Sequence, residues 1–135
     1  MVGFLLVSHG GMAKGMLEAI AMITGVEDQI AGLGLYPEDS PETLVDSIRE
    51  QIAKLDTGDG VIMFVDLLGA TPFNSCVRLL LEKPDRYALI CGMNLPMLLE
   101  LSMLREGKTV AELAETAVEN GKNGVVNFIL PPMDE

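Results

Sequence analysis

Tryptophan is absent from this 135-residue chain, tyrosine and cysteine occur twice each, and histidine occurs once, at His9. A single histidine leaves no second one for a histidine phosphatase and too few ligands for a zinc site. The shortage of aromatics removes the walls that a flavin wants. Cys76 and Cys91 stand singly in apolar surroundings, without the spacing of a metal knuckle or a disulfide framework, and read as buried free thiols. Basic residues are also scarce: 9 Lys and Arg face 20 Asp and Glu, for a net charge of −11. Such a chain repels phosphate backbones and anionic lipid heads, which argues against nucleic-acid and membrane-surface binding. No uncharged run approaches the roughly 20 residues that span a bilayer. The apolar N-terminus lacks both the positive region and the cleavage site of an export signal. The expectation is a soluble cytoplasmic protein with neither metal nor cofactor.

What is present fits one globular domain over residues 1–135. The hydrophobic fraction is 49% and the charged fraction 21%, ordinary values for a chain of this length with a sizeable core. Short apolar runs alternate with amphipathic ones. Residues 2–7 form a run too short for a helix, as expected of a parallel strand covered on both faces. Ala13, Met16, Leu17, Ile20 and Ile23 then recur at helical spacing up to Gly25. A second strand over 30–35 ends at Tyr36-Pro37, and Ser40-Pro41 opens a helix striped by Leu44, Ile48, Ile52 and Leu55. Residues 61–65 are the most strand-like and stop at Asp66. Thr71-Pro72 repeats the cap-plus-proline signal for a helix to Leu81. A fourth strand over 87–91 precedes a helix capped by Asn94. Thr109 and Glu112 make a capping box for a last helix, closed by Gly121. Residues 125–130 read as one final, mostly apolar strand. The methionines read as pliable core filling, and Glu112, Glu115 and Glu119 as a solvated face.

Strand and helix alternate four times, so the class is α/β with an open, mainly parallel sheet and helices on both faces. Ligands in such sheets collect beyond the carboxyl ends of strands, at the switch point where helices change faces. With strand order 2-1-3-4, that point lies between strands one and three, and His9 and Asp66 face each other across it. A carboxylate on one imidazole nitrogen fixes the tautomer and leaves the other nitrogen's lone pair outward, as a nucleophile requires. The glycines after His9 allow close backbone approach, the next helix offers unpaired N–H groups to an anion, and Thr71 adds a hydroxyl at the same rim. Phosphoryl transfer through a phosphohistidine is the chemistry that fits. Taken singly, a histidine at a strand end is more often a structural hydrogen-bonder, and an Asp there a turn residue; their joint placement favours function. A receiver domain would need an acidic pair where Ser8-His9 stands. No G-x-G-x-x-G or Walker loop follows the first strand, and no nucleophile-elbow serine is present.

Three segments carry a family resemblance: Phe4-Leu5-Leu6-Val7-Ser8-His9-Gly10, Val65-Asp66-Leu67-Leu68-Gly69-Ala70-Thr71-Pro72-Phe73-Asn74, and Gly92-Met93-Asn94-Leu95-Pro96-Met97-Leu98. Together they resemble the IIA component of the mannose-family sugar phosphotransferase system, over nearly the whole chain. The middle segment departs once, with Ala70 where the family commonly has a second glycine. The resemblance implies a phosphocarrier, and the chain's stop soon after the last strand gives the expectation that no IIB domain is fused to it. His9 would take a phosphoryl group from the carrier protein HPr and pass it to a IIB component, for sugar uptake through membrane IIC and IID partners. Asp66 would hold His9, and Gly10, Gly69 and Thr71 match positions that line the phosphoryl site.

Residues 125–130 put apolar groups on both faces, which is unusual at an exposed sheet edge. This segment either completes the sheet of its own chain or exchanges with a second subunit, and the resemblance implies exchange in a homodimer. Two other functions compete. One is the phosphodonor subunit of a dihydroxyacetone kinase system, which shares the histidine loop but generally lacks the long middle motif. The other is a non-catalytic regulatory module of the same fold.

Overall fold

The computed structural model describes residues 1–133. Four strands, β1 (Gly3–His9), β2 (Ile30–Leu35), β3 (Val61–Val65) and β4 (Tyr87–Cys91), form one parallel sheet in the order β2-β1-β3-β4. Five helices cover it: α1 (Met12–Thr24), α2 (Pro41–Leu55), α3 (Thr71–Glu82), α4 (Leu95–Leu104) and α5 (Val110–Asn123). The expected architecture and strand order are therefore observed.

Alternation along each strand divides the core in two. Phe4, Leu6, Ile62 and Phe64 face α1, α4 and α5 through Ala13, Ile20, Leu98, Leu101, Leu113 and Ala117. Leu5, Val7, Met63 and Val65 face α2 and α3 through Leu44, Ile48, Ile52, Cys76 and Leu79. Each fully buried aliphatic or phenyl group contributes about 1.5–3 kcal/mol, so β1 and β3, buried on both faces, anchor the fold. The helices after β1 and β3 lie on opposite faces. The switch point accordingly falls between those two strands, at the sequence positions of His9 and Asp66.

Some local expectations are corrected. Gly121 does not end α5; it packs against Met97 of α4, and the helix continues to a cap at Gly124. The methionines divide, with Met63, Met93 and Met97 in the core but Met12, Met22 and Met103 exposed. Cys76 is a buried free thiol pushed up to about 12 by burial, with the charge of Cys91 adding to the effect. Cys91, however, is only partly buried.

Arg105 is a feature that the sequence did not reveal. It is 3% exposed, stacks over Phe4 at 4.8 Å from the ring centroid, and donates to the carbonyls of Asp28 and Gln29. This guanidinium ties the end of α4 to the start of the sheet, adding a donor to the Gln29 carbonyl, which already accepts from the Phe4 N–H at 3.0 Å, and a donor to the Asp28 carbonyl.

Residues 125–130 form no strand within this chain. Val125, Val126, Phe128, Ile129 and Leu130 are each more than 70% exposed. Of the two readings of this segment, completion of its own chain's sheet is excluded. A lone extended segment has no ladder partner unless a sheet edge is brought to it.

Candidate functional site

The site assembles where β1 and β3 end side by side, with Val7 paired to Val65. One residue past that pair on β3, Asp66 turns its carboxylate back across β1. Its Oδ2 accepts from the His9 backbone N–H at 2.9 Å and lies 2.7 Å from His9 Nδ1. Its Oδ1 accepts from the Leu67 N–H at 3.0 Å. The predicted pair is thus brought together, although 57 residues separate its members.

The two side chains meet solvent differently, at 48% exposure for His9 and 9% for Asp66. Burial alone would push the Asp66 carboxyl up. The His9 backbone N–H and then the His9 ring outweigh it and hold the carboxyl below its ordinary range. The carboxylate is therefore ionised at neutral pH and can only accept from Nδ1, so in the neutral imidazole the lone pair lies on Nε2. Among the described residues, the ring's hydrogen bond to protein is the one at Nδ1, and the side chain as a whole is half exposed.

Two helix starts flank the pair. After His9, Gly10 adopts φ +52°, a left-handed turn that glycine accepts without steric cost, and its N–H donates to Leu35 at 2.8 Å. Gly11 is the N-cap of α1 but makes no side-chain cap bond. Ser8 performs that task instead: fully buried, its Oγ accepts from the Ala13 N–H at 2.8 Å. Sequence reasoning placed Ser8 at the rim without a role. The available signal was a hydroxyl at the inward position of a buried strand end, five residues before a helical amide.

On the β3 side, Gly69 adopts φ +88° and again needs no side chain. Ala70, the departure from the family pattern, has φ −93°, so its methyl group causes no strain. The same geometry corrects the reading of Thr71. Ala70 is the N-cap of α3, while Thr71 and Pro72 occupy its first turn. Proline suits either of the first two positions, because neither amide has an intrahelical acceptor. The Thr71 hydroxyl is consequently not engaged in capping, and the Thr71 and Phe73 amides are first-turn donors at the positive end of the helix. Leu67 and Leu68, at 55% and 75% exposure, give this loop an apolar outer surface.

The rim is open. A hollow of about 610 Å³ lies at the opposite end of the sheet, lined by Gly58, Asp59, Arg86 and Lys108 among others, far from the imidazole. Among the described residues, no group of three or more His, Cys, Asp and Glu side chains is placed to hold a metal ion. No helix there is long and apolar enough to cross a membrane. An imidazole oriented by a carboxylate, beside the amides of two helix N-termini, has the chemistry to hold a phosphoryl group transiently.

Comparison with known proteins identifies the family. The sequence pattern of the family described as PTS system fructose IIA component matches residues 3–118. The mannose-specific EIIAB component of the PTS system of Escherichia coli (strain K12) is 33% identical over 135 residues, taking in 99% of this chain and 42% of that protein. The chain thus spans less than half the length of that relative. The sorbose-specific EIIA component of Lacticaseibacillus casei is 32% identical, over 81% of this chain and 78% of its own. Among solved structures, the mannose/sorbose specific IIA subunit from Enterococcus faecalis superposes with a TM-score of 0.88 at 25% identity, over 98% of each chain. The chain belongs to the mannose family of IIA components of the phosphotransferase system.

Proposed function

We propose that this chain is a phosphocarrier, accepting a phosphoryl group from phospho-HPr on His9 Nε2 and passing it to a IIB component for sugar uptake. The observation that carries the reading is the 2.7 Å contact between His9 Nδ1 and Asp66 Oδ2. It directs the lone pair to Nε2 and supplies a counter-charge whenever the imidazole becomes cationic. In each half-reaction the bond from phosphorus to the donor nitrogen breaks as the bond to the acceptor nitrogen forms. The entering group carries roughly −1.5 to −2 charges, which the helix N-termini at Thr71 and Gly11 offset. Gly10, Gly69 and Thr71 line its seat. Little further chemistry is needed, because phosphoryl transfer depends mainly on positioning and electrostatics. An exposed rim suits a carrier that must receive and release its cargo through contact with other proteins in the cytoplasm.

Incubation with phosphoenolpyruvate, enzyme I and HPr, followed by intact-mass measurement, tests the proposal. The expected result is a gain of one phosphoryl group that is lost in acid. An unchanged mass overturns it.

The same reading includes a homodimer in which residues 125–130 exchange between subunits. Apolar side chains on both faces of this exposed segment support it, as does its start in a groove beside β4, an edge strand of the sheet. Light scattering at micromolar concentration should give twice the chain mass for the full chain and the monomer mass after removal of residues 125–135. A monomeric full chain removes this part of the proposal.

A further inference from the structure

The hydrogen bonds of Asp66 go to His9 and Leu67, and it is the end of β2 that forms the wall against which the histidine turn rests. The Gly10 N–H donates to Leu35 at 2.8 Å. The Gly10 carbonyl lies so close to Gly34 that a Cβ there would fall 2.2 Å from its oxygen. Tyr36 folds back over the same place. Its Cε2 is 3.0 Å from the position of a Gly34 Cβ, and its hydroxyl 3.9 Å from that of a Gly11 Cβ. Asp39 fixes the tyrosine backbone, accepting from the Tyr36 N–H at 2.8 Å and donating its own N–H to the Tyr36 carbonyl at 2.9 Å. Among the described residues, the hydrogen bonds of Tyr36 are made by its backbone, and the residue is 38% exposed. The ring therefore lies over Gly34, on the same side as the Gly10 carbonyl, with its hydroxyl toward Gly11 and without being anchored in the core.

We propose that Tyr36 is a positioning residue for transfer at His9, its ring over Gly34 backing the Gly10 carbonyl so that the turn holds still and the imidazole keeps Nδ1 on Asp66. Two consecutive glycines are the most permissive backbone available. Asp66 restrains His9 from the β3 side, α1 holds the turn through Gly15 N–H on the Gly11 carbonyl and Ala13 N–H on Ser8, and Gly34, Leu35 and Tyr36 back it from the β2 side. In a loosened turn, the ring spends time away from the carboxylate. It then reverts toward the Nε2–H tautomer favoured by free imidazole, in which the transferring nitrogen has no available lone pair. A displacement of about 1 Å in such a constellation can cost up to about a hundredfold in rate.

The kinetic consequence rests on the phosphocarrier reading; the tautomer does not. His9 is the sole histidine, so its ring nitrogens give an unambiguous 15N signal in the unphosphorylated full chain, recorded about two pH units above the ordinary histidine value of about 6.5. Tyr36→Ala should move these resonances toward the Nε2–H form and slow labelling by phospho-HPr roughly ten- to a hundredfold. Tyr36→Phe, which keeps the ring, should restore both. Wild-type resonances in Tyr36→Ala overturn the proposal, whether or not labelling slows. Equal slowing in the Phe variant also overturns it, because the hydroxyl rather than the ring would then be acting. Should the alanine variant fail to fold, Tyr36→Val, too short to cover Gly34 as the ring does, is held to the same outcomes. If the wild type is not labelled at all, the carrier reading fails, and the resonances still decide the role of Tyr36.

Discussion

His9→Ala should abolish acid-labile phosphorylation completely while the protein remains folded. The loss is total rather than partial because no second histidine exists to take the group. Folding survives because the side chain is half exposed, and because Asp66 keeps the backbone N–H groups of residues 9 and 67 as donors. No buried carboxylate is stranded, which is the circumstance that makes such deletions costly. Intact mass after incubation with the phosphoenolpyruvate system, together with thermal unfolding, provides the check. Labelling retained in the variant would refute the assignment of His9.

Asp66→Ala should slow transfer by about 10²–10³-fold, the scale of a lost tautomer-fixing or proton-handling partner. Asp66→Asn should be nearly as damaging despite its shape. The native carboxylate accepts on both oxygens, from His9 on one and Leu67 on the other. An amide accepts on one side only, so it faces either His9 or Leu67 with a donor against a donor. An unchanged rate in both variants, measured by rapid-quench labelling, would show that the carboxylate is not the histidine's partner. A pH experiment gives the matching sign. Because the Asp66 carboxyl is held below its ordinary value, its contribution to folding is present above the unfolded value of about 3.9 and is lost as pH falls through the folded value. The stability difference between wild type and Asp66→Ala should therefore persist at neutral pH and shrink below about pH 4.

Much of this architecture could be read from residues alone, and for one reason. A parallel strand buried on both faces is a continuous apolar run, so the first polar residue after it marks the carboxyl end of the sheet. Ser8-His9 and Asp66 stand out in that way, and the switch-point rule then sets them side by side. What stayed hidden depends on distant neighbours. Ser-Pro and Thr-Pro look alike, but Ser40 caps α2 whereas Thr71 lies one position inside α3. Gly121 resembles a helix stop until α4 is packed against it. The Arg105 guanidinium finds its carbonyl partners 76 and 77 positions away, which no local pattern signals. The ring of Tyr36 acquires its meaning only when β2 lies beside β1.

The long separation between His9 and Asp66 also affects the order of events during biosynthesis. The imidazole leaves the ribosome before its acidic counterpart, which emerges only after more than half a hundred further residues and must then settle in the neighbouring strand. Until β3 has docked, the ring has the freedom of an unstructured peptide. The tautomer of one atom pair thus reports whether the newborn polypeptide has finished threading its central strands.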